Sequence, residues 1–321
     1  MWVLYKIEPA KVWAYAQRAN GWLLLLTVAF ATLTFPVRAI RWRLILRDAN
    51  GRPFPFLPLW HATTIGFMAN NLLPARAGEV ARAYVASRQL PVRFTTALGS
   101  IGVERVFDAL VMLGLMAVAI AAPSFPAHTL VGGRSLSTIA ASTAVLFGIV
   151  LVIALLVANR PGPWLVLVER IARHTLPVRI ADKVVRASDG IVEGLAVLKS
   201  PARFAGVVLW SLVLWIKNAA AFAICFRAFG IDIPLEASFL LQGIIGFGVA
   251  IPSTPGYAGV FEAATLFTLQ VYGVDSSLAL AYALTYHLTT FIPITLLGLW
   301  SLSRLHIKLG ELRTATGGAT P

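Results

Sequence analysis

Apolar positions along this chain run together in long blocks instead of alternating, and the blocks are of two kinds. Runs at approximately 21–41, 97–121, 136–158 and 204–226, with a fifth at about 277–302, are long enough to cross the hydrocarbon core of a bilayer, which takes about 20 residues. Two further regions, 57–93 and 236–273, are apolar but interrupted. Each reads as a short apolar helix, a break rich in Pro and Gly, and a second short helix that opens on small residues and a Glu.

Backbone groups facing lipid cannot go unpaired, so such breaks at membrane depth occur where protein or a wet cavity satisfies them. Both regions are therefore predicted to be re-entrant hairpins. The expected fold is an all-α polytopic membrane protein: about five spanning helices plus two re-entrant broken-helix hairpins in an inverted repeat, forming a single domain over 1–313. Residues 314–321, "TATGGATP", read as a disordered tail.

Composition agrees with this pattern. Of 321 residues 58% are hydrophobic and only 13% charged, and mean hydropathy is +0.78. A net charge of +13 would raise nucleic-acid binding in a soluble protein. Here the Lys and Arg concentrate in a few loops, so cytoplasmic loop bias and anionic headgroups explain the excess, and no nucleic-acid partner is expected.

The loop 159–203 is strongly basic, whereas 122–135 and 227–235 are nearly free of cations, which places the first inside and the other two outside. By crossing count the segment Arg38–Arg52 and the C-terminal tail are then cytoplasmic. Hairpin 57–93 would enter from the cytoplasm and hairpin 236–273 from outside, the opposed arrangement of inverted-repeat transporters. About 160–203 is expected to form amphipathic helices at the interface. The first run, followed by Arg38, Arg41 and Arg43, is a membrane helix and not a removable leader.

Little conventional chemistry is present. Cys225 is the only cysteine, and the five His residues, at 61, 128, 174, 287 and 306, lack metal-ligand spacing, so neither a metal nor a cofactor is expected. GxxxxGK[ST] is absent, which excludes this route to ATP.

What remains is charge in apolar surroundings. In hairpin one Pro74 and Gly78 mark the break, Glu79 and Arg82 share a helix face and can pair, and Arg76 lies near a helix start that favours an anion. The next helix carries Glu104, Arg105 and Asp108 within five residues, and Glu104 or Asp108 is expected to face Arg76 or Arg82. Hairpin two places Pro252, Pro255, Gly256 and Gly259 before Glu262, a carboxylate that needs a cationic partner or a proton.

Blander readings compete at several positions. Arg41-Trp42-Arg43, Trp60, Trp164, Trp210 and Trp300 fit interface belts, and anchoring is favoured over function for them. Lys217, in the middle of a spanning helix, either snorkels or enters a cavity. His287 reads more readily as a satisfied core histidine than as a functional group.

Arg41-Trp42, then Asn71, Pro74, Arg76, Gly78, Glu79 and Arg82, then Glu104-Arg105 and Asp108, and finally "PSTPGYAGVFEA", form an ordered set from about 20 to 302. In that set the chain resembles the lysylphosphatidylglycerol synthase transmembrane-domain family, also called flippase-like or UPF0104-type. The resemblance implies a bacterial inner-membrane protein that moves a lipid or lipid-linked headgroup between leaflets, with Arg76, Glu79, Arg82, Glu104, Arg105 and Glu262 as cavity residues. Asn71, Asp108 and His287 complete the candidate set.

Three departures from the family pattern stand out. No soluble region is long enough for the aminoacyl-transfer domain of the bifunctional synthases, residues 1–20 are only amphipathic where many relatives begin with another hydrophobic helix, and His287 stands where an Arg is expected.

The leading expectation is a lipid translocator and not an enzyme, with an anionic or aminoacylated phospholipid or a polyprenyl-linked lipid as partner; the sequence is also compatible with a homo-oligomer. A membrane enzyme using Glu79, Glu104 or Glu262 as acid or base is the alternative. A third is a non-transporting subunit that recruits a cytoplasmic enzyme.

Overall fold

The computed structural model describes residues 8–73, 77–127, 161–178, 200–249 and 254–315, together with scattered positions between 130 and 149 and between 180 and 188. The described residues fold into helices, apart from a two-residue antiparallel ladder between Leu130–Val131 and Arg134–Ser135. Pro74, Arg76, Pro252, most of the expected span 136–158, most of 176–199 and the last six residues lie outside the description.

Helices α1 (Pro9–Arg18), α2 (Gly21–Thr32) and α3 (Thr34–Ile45) open the fold. Pro36 has no N–H and its ring crowds the preceding turn, which accounts for the break at Leu33 between α2 and α3. Helices α4 (Phe56–Leu72) and α5 (Gly78–Gln89) form the first short pair, followed by α6 (Phe94–Ala121) and the amphipathic α7 (Pro161–Thr175). After α8 (Pro201–Ala228) come the second short pair, α9 (Glu236–Gly248) and α10 (Val260–Val271), then α11 (Ser276–Arg304) and α12 (Leu309–Ala315).

Among the described residues three stretches are long and apolar enough to cross a membrane: Gly21–Ile45, Pro201–Ala228 and Ser276–Arg304, of 25, 28 and 29 residues. These correspond to the expected spans 21–41, 204–226 and 277–302. Helix α6 has the length, at 28 residues, but Glu104, Arg105 and Asp108 interrupt its apolar character. The paired helices, of 17, 12, 13 and 12 residues, are each shorter than a span. Thr314 and Ala315, expected in the tail, belong to α12.

Glycines set the closest packing. A Cβ on Gly78 would strike the carbonyl of Gly66 and the Asn70 side chain, and one on Gly298 would strike Met68 and the Thr64 carbonyl. Backbone meets backbone at these points, so α4 is clasped by α5 on one side and α11 on the other. The larger core cluster lies around α3, α4, α5 and α6, and a second joins α8, α9, α10 and α11.

Candidate functional site

The kink at Leu33 explains where Lys217 goes. Its ammonium donates to the Phe30 carbonyl at 2.7 Å, to Thr34 Oγ1 at 2.6 Å and to Asn218 Oδ1 at 2.7 Å. A break in a helix leaves carbonyls short of donors. Lys217 supplies donors there and does not snorkel.

One turn further along α3, Arg38 and Arg41 point into the core with 3% and 0% exposure. Arg38 donates to Asp108 Oδ2 at 3.0 Å, and Arg41 donates to Asp108 Oδ1 at 2.6 Å and to Ser211 Oγ at 2.9 Å. The indole of Trp215 donates to the same carboxylate at 2.9 Å. Beside this, Arg82 of α5 grips Glu104 with two bonds, at 2.5 and 3.2 Å, and stacks over the Trp42 ring.

The expectation that Glu104 or Asp108 faces Arg82 thus holds for Glu104, and both bonds described for Arg82 go there. The anchoring role for Arg41 and Trp42 is overturned. Both are wholly buried, and the Trp42 indole donates to Ser100 Oγ at 2.8 Å.

The signal was present in the spacing. Arg38 and Arg41 stand three apart on one helix face, Glu104 and Asp108 four apart on another, and such ladders can face each other across a helix pair. Burying ions is costly, and removing one partner of a buried pair typically destabilises by about 3–5 kcal/mol.

Arg105 approaches Asp108 at 3.5 Å with its side chain 36% exposed. Two carboxylates therefore stand among four arginines, 38, 41, 82 and 105.

A cavity of about 270 Å³ adjoins this network, lined by Arg38, Asn70, Glu79, Arg82, Arg105 and Gln242 among polar side chains, and by Tyr257 and Tyr286. The Nε groups of Arg38, Arg82 and Arg105 have no hydrogen-bond partner among the described residues, and neither polar atom of Gln242 has one. Sequence reasoning missed Arg38, Asn70 and Gln242. Asn70 Oδ1 accepts the Gly78 N–H at 2.8 Å and so fastens the start of α5.

The remaining candidates divide by position. Glu79, Arg82, Arg105 and Gly78 line the cavity, while Glu104 and Asp108 hold the arginines from behind. Asn71 ties α4 to α11 by donating to Thr295 Oγ1 at 2.9 Å.

In the second pair, the turn after Thr254 carries Gly256, Tyr257 and Gly259 at φ of 65°, 62° and 87°. Glycine adopts that region freely, but Tyr257 does so at some cost. Gly259 N–H donates to Glu262 Oε2 at 2.6 Å, His287 Nδ1 lies 2.6 Å from Glu262 Oε1, and His287 Nε2 lies 2.8 Å from the Gly256 carbonyl oxygen. His287 thus stands against Glu262 and the Gly256 carbonyl, with both ring nitrogens engaged.

Fold and site together define a multi-pass helical membrane protein with a buried charged network and, beside it, a cavity whose lining mixes charged, polar and apolar side chains. The family described as the lysylphosphatidylglycerol synthase TM region matches residues 1–298, and the chain belongs to that family.

Among curated relatives, glycosyltransferase AglD of Haloferax volcanii is 26% identical over 332 residues, covering 94% of this chain and 52% of the relative. The chain thus spans about half the length of that protein. A UPF0104 membrane protein of Methanothermobacter thermautotrophicus is 26% identical, covering 90% of this chain and 85% of the relative. UPF0104 membrane protein MJ1078 of Methanocaldococcus jannaschii is 26% identical over 71% of this chain and 90% of its own. All three come from archaea. No solved structure matches the chain.

Proposed function

We propose that this chain is a lipid translocator that passes a phosphate-bearing headgroup between leaflets of a cytoplasmic membrane while the acyl or prenyl tail stays in lipid. The observation that carries this reading is the cationic wall of the cavity: Arg38, Arg82 and Arg105 face it, each with an Nε donor unbonded among the described residues. Arginine is suited to phosphate because its planar donors match the oxygens in pairs.

At about 270 Å³ the cavity has the size for a headgroup and not for a whole lipid. In this reading the two short helix pairs are re-entrant hairpins of opposite entry, meeting at the cavity as halves of an inverted repeat. The C-terminal helix α12 lies on the cytoplasmic side, and Glu79 is placed to meet an amine or hydroxyl on the cargo.

The test is leaflet exchange of fluorescent lipids in liposomes carrying the purified chain. Anionic phospholipid should exchange, and Arg105→Gln, which disturbs the partly exposed arginine of the network, should reduce exchange at least tenfold while the protein stays folded. Wild-type exchange in the variant, or none in the wild type, would defeat the proposal.

A second reading, modification of a lipid-linked sugar, has one observation in its favour: the archaeal relative of twice the length is called a glycosyltransferase. It requires a chemically altered lipid after incubation, whereas translocation returns the lipid unchanged.

A further inference from the structure

The contacts of His287 impose a proton count. The Gly256 carbonyl oxygen can only accept, so Nε2, 2.8 Å away, must carry hydrogen. Glu262 uses Oε2 to accept from Gly259 N–H, leaving Oε1 against Nδ1 at 2.6 Å. That last contact needs one more hydrogen, held as imidazolium facing carboxylate or as imidazole facing carboxylic acid. A neutral imidazole beside an ionised carboxylate has one N–H for two acceptors. One of the two bonds is then lost, whichever tautomer forms.

We propose that Glu262 and His287 together form a proton-binding site that latches the turn 254–259, and that this is how the translocation cavity, on the reading above, responds to protons. Binding one proton from water completes both histidine bonds. Releasing it to water breaks one of them and frees either the Gly256 carbonyl or the Glu262 carboxylate.

The latch has something to hold. Tyr257, next to Gly256, sits at φ 62° and lines the cavity wall, and Gly256 packs against Phe291 and the Asn71 carbonyl. A bulky residue in that region persists where its surroundings enforce it. Loss of the Gly256 bond therefore loosens the cavity wall at Tyr257.

Few other charges face the pair. Helix α10 has no ionisable side chain besides Glu262, α9 has only Glu236 at its start, and α2 has none. On α11 itself Tyr282 and Tyr286 lie toward its start and Arg304 at its end. Helix α4 offers His61, bonded to Ser301, and α8 offers Lys217, held at the Leu33 kink. Helix α1 contributes Tyr15, Arg18 and Lys11, the last bonded to Glu8. The proton is shared locally.

Glu262→Gln is the sharp test. A glutamine Oε1 can accept from Gly259 while its Nε2 donates to Nδ1 and the ring donates to Gly256, so every bond forms without a titratable proton. His287→Phe keeps an aromatic ring between Phe261 and Phe291 and removes the latch.

The first measurement is nitrogen-15 spectra of the histidine-labelled full chain in liposomes, between roughly pH 5 and pH 9. In the wild type the signal missing from His287→Phe should keep a protonated Nε2 while Nδ1 titrates with a single step, and in Glu262→Gln that step should vanish. The second is lipid exchange over the same range. Wild-type exchange should rise with pH, by at most about tenfold per unit for one proton, Glu262→Gln should stay low, and His287→Phe should be independent of pH.

A titrating Nδ1 in Glu262→Gln, or identical exchange profiles in wild type and Glu262→Gln, would overturn the latch. The expected spectra without exchange of any lipid would uphold the proton site and remove the translocation reading instead.

Discussion

The Arg82 guanidinium lies over the face of Trp42, its central carbon 3.7 Å from the ring centroid, and from there reaches Glu104 with two bonds. A tryptophan at the end of an apolar run ordinarily marks the membrane surface. Here it carries the flat side of a buried cation, and the indole N–H is spent on Ser100.

Glu104→Gln is therefore expected to destabilise more than Trp42→Phe. The glutamine keeps the shape of the side chain but leaves two buried arginines, 82 and 41, without its charge, a loss of about 3–5 kcal/mol. Phenylalanine retains a ring face for Arg82 and strands only the Ser100 contact, at about 1 kcal/mol. Thermal unfolding in detergent, followed by intrinsic fluorescence, ranks the two. The reverse order would mean that Glu104 is not the main partner of this network.

Lys217→Met offers a different check, on the kink. Methionine fills similar space and removes the donor shared by the Phe30 carbonyl, Thr34 and Asn218. The expected cost is about 1–3 kcal/mol, from a buried carbonyl left unsatisfied. Amide hydrogen exchange should quicken around Leu33 before it does so elsewhere. Unchanged exchange there would show that Pro36 holds the bend without help.

How much of this was legible in the sequence depends on distance along the chain. The spans 21–41, 204–226 and 277–302 rest on apolar runs, a local property, and appear as three long helical stretches, the first of them broken at Leu33. The broken regions were visible for the same reason, because Pro255, Gly256 and Gly259 act on their own backbone. What the chain could not reveal locally is pairing. Arg41 and its carboxylate Asp108 are 67 positions apart, and Thr34 and Lys217 are 183 apart. Asn70 and Asn71 are adjacent and chemically identical, and only the packing of α4 turns one toward Gly78 and the other toward α11.

Glycine substitutions separate close packing from mere flexibility. Gly78→Ala should open the α4–α5 pair, because the new Cβ would overlap the Gly66 carbonyl oxygen and lie 2.5 Å from the Asn70 side chain. Gly114→Ala, with nothing near its Cβ, should be tolerated and add up to about 1 kcal/mol of helix preference. Size-exclusion profiles and unfolding temperatures of the two variants measure this. Equal behaviour would contradict the tight approach of α4 and α5.

Gln242 gives the last test, in which stability and function should move in opposite directions. It is 2% exposed, lines the cavity, and has no hydrogen-bond partner for either Nε2 or Oε1 among the described residues. A buried amide without partners costs about 1–3 kcal/mol, so replacing it by leucine, of similar volume, should raise the unfolding temperature of the empty protein. The same change removes a group able to donate and accept at once, which suits a hydroxyl of a glycerol or sugar headgroup. Exchange of such a lipid should fall tenfold or more in Gln242→Leu, while that of a lipid with a bare phosphate head, held by the arginines alone, should change little. A lower unfolding temperature would mean that Gln242 serves the fold, and an equal loss for both lipids would remove it from selectivity. A gain in stability coupled to a selective loss of exchange is the pattern of a side chain kept for its ligand at the expense of the fold.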